Sequence, residues 1–269
     1  MNLRQNRYLV LGGNGFIGTN LIRYLQLQGH YVKNLDLKNG PEDDLRRILI
    51  KDIKSYTGCF FLAWDVGGSK YLNNRTYWEK QYRNNFALIN NVFPQLSESG
   101  IPFLFISSQL AGVDNTPYSI TKLAAENYCK IMQNATVARQ WNAYGSIEEF
   151  DLKSHVVSDL VRQALQEKII RLKTTGEEKR QFVHMEDICN AYLKMLTRGN
   201  GEVYDVSSKN YISILELANK IGKLTNSKVI QGNEIGIDPK VEEISWFPEW
   251  IPRIELENGL ISIIQSLGK

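Results

Sequence analysis

The sequence predicts an α/β fold in which a doubly wound parallel sheet carries a small C-terminal lobe. Over the first half of the chain, short apolar runs alternate with segments of helical periodicity. Strands that are apolar on both faces are typical of a parallel sheet covered by helices. The second half is less regular, and residues 229–252 carry few periodic signals. We therefore expect a small irregular lobe beside the sheet.

The boundaries of the predicted elements follow from apolar periodicity and from the turn residues between them. The predicted strands are residues 8–11, 31–37, 59–63, 102–107, 135–139 and 202–206, and the predicted helices are 20–28, 76–97, 117–132, 155–168, 185–197 and 214–223. Residues 48–53 fit a short third strand or a helix almost equally well. The expected sheet domain is 1–140 with contributions from about 182–206, and the expected lobe is 141–180 with 207–269.

Composition and charge argue against several classes of function. The chain of 269 residues has a net charge of +3, too small to indicate binding to nucleic acid or to a membrane surface. No segment approaches the ~20 apolar residues that span a bilayer. Cys59, Cys129 and Cys189 have neither metal-ligand spacing nor the pattern of a disulfide framework. We expect a cytoplasmic protein with no metal, no nucleic acid partner and no membrane partner.

A glycine-rich turn joins the first predicted strand to the first predicted helix. Its sequence is G-G-N-G-F-I-G, with Gly12, Gly15 and Gly18 at three-residue spacing. A dinucleotide pyrophosphate needs a tight turn, a backbone without side chains in its way, and a helix N-terminus whose N–H groups face the phosphates. The glycines meet these needs, and Phe16 and Ile17 seal the turn onto the sheet. The turn is therefore a candidate cofactor site.

An acidic residue at the end of the second strand supports this interpretation. Asp36 lies 18 residues after Gly18. A carboxylate at this place accepts hydrogen bonds from the adenosine ribose and repels a 2′-phosphate, so it favours NAD over NADP. Lys38, two residues later, leaves NADP open as an alternative.

Tyr118 and Lys122 lie four residues apart at the start of the predicted helix 117–132. Residues at this spacing share a helix face, so the phenol and the ammonium can face one site. A tyrosine with its ordinary pKa of about 10 is a poor base at neutral pH, but a nearby cation favours the phenolate. The preceding strand ends near Ser107 and Ser108, at the sheet edge where doubly wound folds bind ligands. Either hydroxyl can hydrogen-bond the oxygen that loses its proton to Tyr118.

The glycine turn, the acid, the serines and the tyrosine–lysine pair together resemble the extended short-chain dehydrogenases/reductases of the NAD-dependent epimerase/dehydratase family. Segments typical of its nucleotide-sugar branch agree: F-L-A-W from Phe61, R-Q-W-N-A-Y-G from Arg139 and R-Q-F-V-H from Arg180. The resemblance extends from about residue 8 to residue 263. It implies a Rossmann-type fold with a small C-terminal substrate-binding lobe, NAD as cofactor, a nucleotide-diphosphate sugar as substrate, and a homodimer.

The resemblance also implies a role for individual residues. The catalytic group is Ser107, Tyr118 and Lys122, with Ser108 as the alternative hydroxyl if the loop is shifted by one residue. The implied cofactor contacts are Gly12, Gly15, Phe16, Ile17, Gly18, Asp36, Asp52, Ile53, Leu62, Ala63, Trp64, Ser107, Tyr118, Lys122 and Trp141. The implied substrate contacts are Ser108, Gln109, Asn142, His155 and Arg180. His184 is expected to be structural.

Departures from the family narrow the reaction. The 4,6-dehydratases carry an Asp-Glu pair just after the catalytic hydroxyl, where this chain has Ser108 and Gln109. Residues 154–157, S-H-V-V, resemble the segment of GDP-fucose synthase whose histidine is an acid/base, but Gln109 replaces the cysteine partner. We expect a 4-epimerase or C4 oxidase that works through a 4-keto sugar, with a 4-keto-6-deoxy nucleotide-sugar reductase as the alternative. A dehydratase and a non-catalytic NAD-binding sensor are less favoured.

Overall fold

The computed structural model describes residues 5–145, 155–198, 201–238 and 245–268, without the side chains of residues 69 and 70. The strands are β1 (Arg7–Leu11), β2 (Tyr31–Leu35), β3 (Gly58–Phe61), β4 (Phe103–Ser108), β5 (Ala135–Gln140), β6 (Asn142–Tyr144), β7 (Ile169–Arg171), β8 (Lys179–His184), β9 (Glu202–Val206), β10 (Tyr211–Ser213) and β11 (Lys228–Ile230). The helices are α1 (Phe16–Leu27), α2 (Ser69–Leu72), α3 (Trp78–Ser99), α4 (Pro117–Cys129), α5 (Val156–Glu167), α6 (Met185–Met195), α7 (Ile214–Thr225) and α8 (Leu256–Leu267). Among the described residues, no helix is long and apolar enough to cross a bilayer.

Six parallel strands form the central sheet in the order β2-β1-β3-β4-β5-β9, which confirms the predicted fold class. Successive side chains of a strand point to opposite faces. In β1, Leu9 and Leu11 accordingly pack with α3 and α4, while Tyr8 and Val10 pack with α1 and α6. Both faces of the sheet are therefore buried under helices, and ligands can reach it only at the ends of the strands.

Residues 48–53 form neither a strand nor an α-helix, so both interpretations of this segment were wrong. Side chains of α3 satisfy its backbone instead. Asn91 Nδ2 donates to the carbonyls of Leu45 and Ile48 at 2.8 Å, and the Ile50 N–H donates to Gln95 Oε1 at 2.8 Å. Because buried backbone groups need partners but not specifically a neighbouring strand, the segment remains irregular. As a result β2 is an edge strand of the sheet.

The remaining elements build a second layer beside the carboxyl ends of the strands. Strands β10, β8 and β6 form a small sheet, and β11 pairs with β7. Helices α5, α7 and α8 enclose a separate apolar cluster. These strands and α8 were not predicted. Four of the five strands have only three residues, which is too short to show a period. The division into a sheet domain and a lobe at the proposed boundaries stays a prediction.

Candidate active site

The glycine turn between β1 and α1 forms an open cradle. Gly12 has φ +86°, and a Cβ there would lie 2.4 Å from the backbone of Ala63. A Cβ at Gly18 would lie 2.6 Å from the backbone of Gly13, so this glycine allows α1 to pack closely on the turn. In contrast, no atom lies within 4 Å of a Cβ built on Gly15. Helix α1 begins at Phe16 with no side-chain cap. Uncapped N–H groups beside open space fit a pyrophosphate.

Asp36 lies beside this cradle, just after β2. Its Oδ2 accepts a hydrogen bond from the N–H of Asn14 at 2.9 Å, and its Oδ1 accepts one from the N–H of Lys38 at 2.8 Å. Each carboxylate oxygen keeps a further lone pair for a ribose hydroxyl. The Lys38 ammonium donates to the Asn14 carbonyl at 3.2 Å. The residues present therefore fit an adenosine ribose next to a pyrophosphate, as expected for NAD.

Replacing Gly15 by alanine should separate cofactor binding from folding. Gly15 has φ −89° and ψ 174°, an extended conformation that alanine adopts readily. We expect Gly15→Ala to leave the protein folded, at a cost of about 1 kcal/mol or less because alanine is a poorer N-cap. It should weaken NAD⁺ binding about tenfold or more, equivalent to about 1.4 kcal/mol, because its methyl group would occupy the pyrophosphate space. Calorimetric titration with NAD⁺ measures the loss. Gln26→Ala, at the exposed far end of α1, is the control, and equal NAD⁺ affinity for all three proteins contradicts the assignment.

The segments after β2 and β3 hold further predicted cofactor residues. Asp52 is exposed with φ 53°, and Ile53 is buried in the apolar cluster under the sheet. The chain then turns out of β3, where the N–H groups of Leu62 and Ala63 both donate to the Leu11 carbonyl at 2.8 Å. These two hydrogen bonds hold Ala63 against the glycine turn. The adenine contact assigned to Asp52 and Ile53 stays a prediction.

Tyr118 lies in the first turn of α4, at the carboxyl edge of the sheet. The Thr116 side chain caps this helix by accepting from the Ser119 N–H. The hydroxyl hydrogen-bonded to the Tyr118 phenol is that of Ser108, and this bond lowers the pKa of the phenol, although burial raises it more. Ser107 points elsewhere and donates to Glu126 Oε1 at 2.5 Å. The hydroxyl next to Tyr118 is therefore that of Ser108, the alternative to Ser107, because successive residues of β4 face opposite sides. Which of the two serines takes part in catalysis stays a prediction.

Lys122 is buried one helical turn after Tyr118. Its ammonium donates to the carbonyl of Ile106 at 2.6 Å and lies 5.8 Å from the centre of the Tyr118 ring. Burial lowers the pKa of Lys122 to about 7, although nearby Glu126 raises it. Burial also raises the pKa of Tyr118. The sequence predicted that the lysine would favour the phenolate, whereas burial pushes both groups towards their neutral forms.

The depressed pKa of Lys122 predicts how stability depends on pH. An unfolded lysine titrates at about 10.4, whereas burial lowers the pKa of Lys122 to about 7 in the folded protein. Between these values the unfolded state binds more protons, so the free energy of unfolding should rise with pH. Lys122→Met should remove this rise and stabilise the protein at pH 7 by on the order of a few kcal/mol.

Urea unfolding of wild type and Lys122→Met at pH 7 and pH 9 measures this effect. Lys130→Met, at the exposed end of α4, is the control and should keep the wild-type pH dependence. If the free energy of unfolding of Lys122→Met changed with pH as it does in wild type, Lys122 would not be the desolvated group that causes this dependence.

Gln109, Asn142 and Trp141 surround the same edge of the sheet. Gln109 follows β4, and its Oε1 is buried with no hydrogen-bond partner among the described residues. Asn142 Nδ2 donates to the carbonyl of Gln181 at 2.9 Å. The indole of Trp141 is buried and donates to Asp205 Oδ1 at 2.8 Å. Gln109 therefore has unused hydrogen-bonding capacity, whereas the polar group of Trp141 is already occupied.

His155 and Arg180 lie on the side of the second layer. His155 precedes α5, and its ring lies 5.3 Å from that of Phe16, next to the glycine turn. Ser154, which completes the predicted segment, lies outside the described residues. Arg180 donates to the carbonyls of Lys179 at 2.8 Å and Ile237 at 2.9 Å. His184 caps α6 by accepting from the Glu186 N–H, which agrees with a structural role.

Sequence reasoning missed Glu126, which is fully buried behind the site. Its carboxylate accepts from Ser107 and from the Arg139 guanidinium, with Nη2 at 2.8 Å and Nε at 3.0 Å. Arg139 belongs to β5, so this cluster joins α4, β4 and β5 directly below the tyrosine–lysine pair. The available signal was its position four residues after Lys122, on the same helix face.

The fold and the site together define a doubly wound α/β protein that holds a dinucleotide beside a buried tyrosine–lysine pair. The chain belongs to the NAD dependent epimerase/dehydratase family, whose model matches residues 8–207. This match confirms the predicted family and, for the family, the predicted NAD cofactor.

Individual relatives have different activities. The chain is 26% identical to GDP-L-fucose synthase 1 of Arabidopsis thaliana, covering 97% of this chain and 92% of the relative. It is 19% identical to dTDP-4-dehydro-6-deoxyglucose reductase of Escherichia coli, with 99% of each chain covered. The crystal structure of UDP-glucose 4-epimerase from Thermotoga maritima has a TM-score of 0.80 and 19% identity, covering 97% of this chain and 98% of that one. The structural likeness shows that the fold is shared.

Proposed function

We propose that the protein transfers hydride between NAD and the C4 carbon of a nucleotide sugar, with Tyr118 as the acid/base. The observation that supports this most directly is the Tyr118–Ser108 hydrogen bond beside Lys122, at the sheet edge that also carries the glycine cradle. Ligands of doubly wound folds bind at this edge. A sugar carbinol there can therefore face both the phenol and the cofactor.

In the proposed reaction, Tyr118 accepts the proton of the C4 hydroxyl while Ser108 hydrogen-bonds the same oxygen. Bound NAD⁺ supplies the hydride acceptor and a positive charge that favours the phenolate. Lys122 adds a second positive charge one helical turn away. Both charges are needed because burial alone raises the pKa of Tyr118.

Gln109 supports a reaction confined to C4. It lies next to Ser108, where dehydration or epimerisation beside a ketone would require a group that removes a proton from carbon. An amide has no such capacity at neutral pH. We therefore propose a 4-epimerase or C4 oxidase, in which the 4-keto sugar is rotated, released or processed, rather than a dehydratase.

A second candidate is the reduction of a 4-keto-6-deoxy nucleotide sugar. Two of the relatives favour this reduction, since one is a GDP-L-fucose synthase and the other a dTDP-4-dehydro-6-deoxyglucose reductase. The same residues serve this reaction in reverse, with Tyr118 donating the proton. The two candidates differ in whether the cofactor is recycled in place or exchanged.

Identification of the nucleotide released by the denatured protein tests the proposal. Stoichiometric NAD⁺ or NADH indicates a cofactor recycled in place and supports epimerisation or oxidation at C4. An empty protein that takes up NADPH in preference to NADH indicates the reductase and contradicts the assignment of Asp36. A protein that binds neither nicotinamide cofactor contradicts both candidates.

We also propose a homodimer in which α3 and α4 form the interface. On α3, Phe86 is 38% exposed and stacks on Tyr82 with ring centres 6.1 Å apart. Exposed aromatic residues of this kind are enriched in protein interfaces. Sedimentation velocity of the purified protein distinguishes a dimer from a monomer.

A further inference from the structure

The ammonium of Lys122 lies close to two neighbouring aromatic rings. It is 4.2 Å from the centre of the Trp64 ring and 4.7 Å from the centre of the Phe105 ring. The two rings are 5.4 Å apart and inclined at 57°. Trp64 follows β3 and Phe105 belongs to β4, so three separate elements bring these groups together. We call Trp64 and Phe105 the aromatic pair.

The other groups around Lys122 leave its charge weakly compensated. Its ammonium donates to the neutral Ile106 carbonyl, and among the described residues no carboxylate forms an ion pair with it. On the same helix, Glu126 and Cys129 are close enough to raise the pKa of Lys122 electrostatically. The Glu126 carboxylate, however, is already hydrogen-bonded to the Arg139 guanidinium. Beside Trp64, the carboxylate of Asp65 is occupied by Tyr71 and Asn84.

We propose that Trp64 is a positioning residue for Lys122. The face of its indole, together with the Phe105 ring, keeps the Lys122 ammonium charged and holds it beside Tyr118. The inference rests on the proposed roles of Tyr118 and Lys122. A cation within about 6 Å of an aromatic centre is attracted by the ring quadrupole, most strongly by tryptophan and in desolvated sites. The aromatic pair thus offsets part of the cost of burying the ammonium without adding a negative charge that would oppose the phenolate.

The orientation of the indole supports this role. Trp64 Nε1 is buried and has no hydrogen-bond partner among the described residues. Here the ring is fixed by packing on Phe61 and Phe105 instead, in an orientation that presents its face to Lys122. The unpaired N–H is a cost that phenylalanine at this position would avoid.

The ionisation of Lys122 can be measured directly by NMR titration of protein labelled with ¹³C and ¹⁵N in its lysines, with the signal assigned by its absence in Lys122→Met. Trp64→Leu should lower the pKa of Lys122 by about one unit, a tenfold change in its ionisation constant. Trp64→Phe keeps an aromatic face and should lower it by less. An unchanged or raised pKa in Trp64→Leu, or equal shifts in the two variants, overturns the proposal.

Matched variants keep this test independent of folding and of the proposed function. Trp78→Leu removes a tryptophan that lies over another cation, Arg75, at 5.4 Å and should leave the pKa of Lys122 unchanged. If Trp64→Leu does not fold, Phe105→Leu removes the other ring of the aromatic pair and should also lower the pKa of Lys122. The titration needs no substrate, so it remains decisive if Tyr118 proves not to be the acid/base. Conversely, an unchanged pKa of Lys122 in Trp64→Leu overturns only the role of Trp64 and leaves the proposed role of Tyr118 untouched.

Discussion

Tyr118→Phe should reduce kcat by about 10³-fold or more, a typical loss for a general acid/base, while NAD⁺ still binds. The phenol shares a hydrogen bond with the Ser108 hydroxyl and can exchange a proton with a sugar oxygen. Phenylalanine keeps the ring and removes only this oxygen. Single-turnover reduction of NAD⁺ measured at 340 nm with UDP-glucose, and with its dTDP and GDP counterparts, measures the loss for the nucleotide that wild type accepts.

Tyr128→Phe is the control for this substitution. Tyr128 lies on the same helix and packs on Phe93 with ring centres 5.3 Å apart, away from Ser108. It should keep wild-type turnover. A Tyr118→Phe protein that turns over substrate normally would assign the proton transfer to another group. If wild type itself binds dinucleotide but turns over no nucleotide sugar, a sensor becomes the better interpretation.

Glu126→Ala should be the most destabilising single change in the described core of the site. Removing one partner of a buried ion pair typically costs about 3–5 kcal/mol, because the remaining charge is left uncompensated. Here Arg139 would lose its three hydrogen bonds to the carboxylate, and Ser107 would lose its acceptor. The melting temperature should fall by on the order of 10 °C. Thermal unfolding followed by circular dichroism measures the change.

An exposed ion pair gives the matched comparison. Glu79 and Arg83 are 3.4 Å apart on the surface of α3, with side chains 84% and 70% exposed. Glu79→Ala should therefore cost less than about 0.5 kcal/mol. Glu126→Gln retains an acceptor for Ser107 and should lie between the two. Equal melting temperatures for Glu79→Ala and Glu126→Ala would show that the buried cluster does not stabilise the fold.

Local patterns predicted the features of this protein that depend on neighbours in sequence. The apolar runs predicted the strands of the parallel sheet, since a strand buried on both faces must be apolar throughout. The glycine spacing predicted the cradle, because a turn with φ +86° at Gly12 and a close approach at Gly18 leave few alternatives to glycine. The four-residue spacing of Tyr118 and Lys122 likewise fixed their common helix face.

Residues 48–53 show where local patterns fail. Their apolar residues are needed for burial, but their backbone partners are Asn91 and Gln95, more than forty positions away on α3. No local signal distinguishes such side-chain partners from a neighbouring strand. The sheet therefore ends at β2, which only the tertiary structure could decide.

The sequence by itself determined the family, the parallel sheet, the cradle and the tyrosine–lysine pair, because each depends on spacing along one element or one turn. The tertiary structure alone decided that Ser108, rather than Ser107, meets Tyr118, because neighbouring residues of β4 face opposite sides and Ser107 is on the side of Glu126. It also placed Trp64 and Phe105 around Lys122. These contacts join residues from different strands and helices, and their energies depend on burial, which is a property of the folded chain and not of any segment.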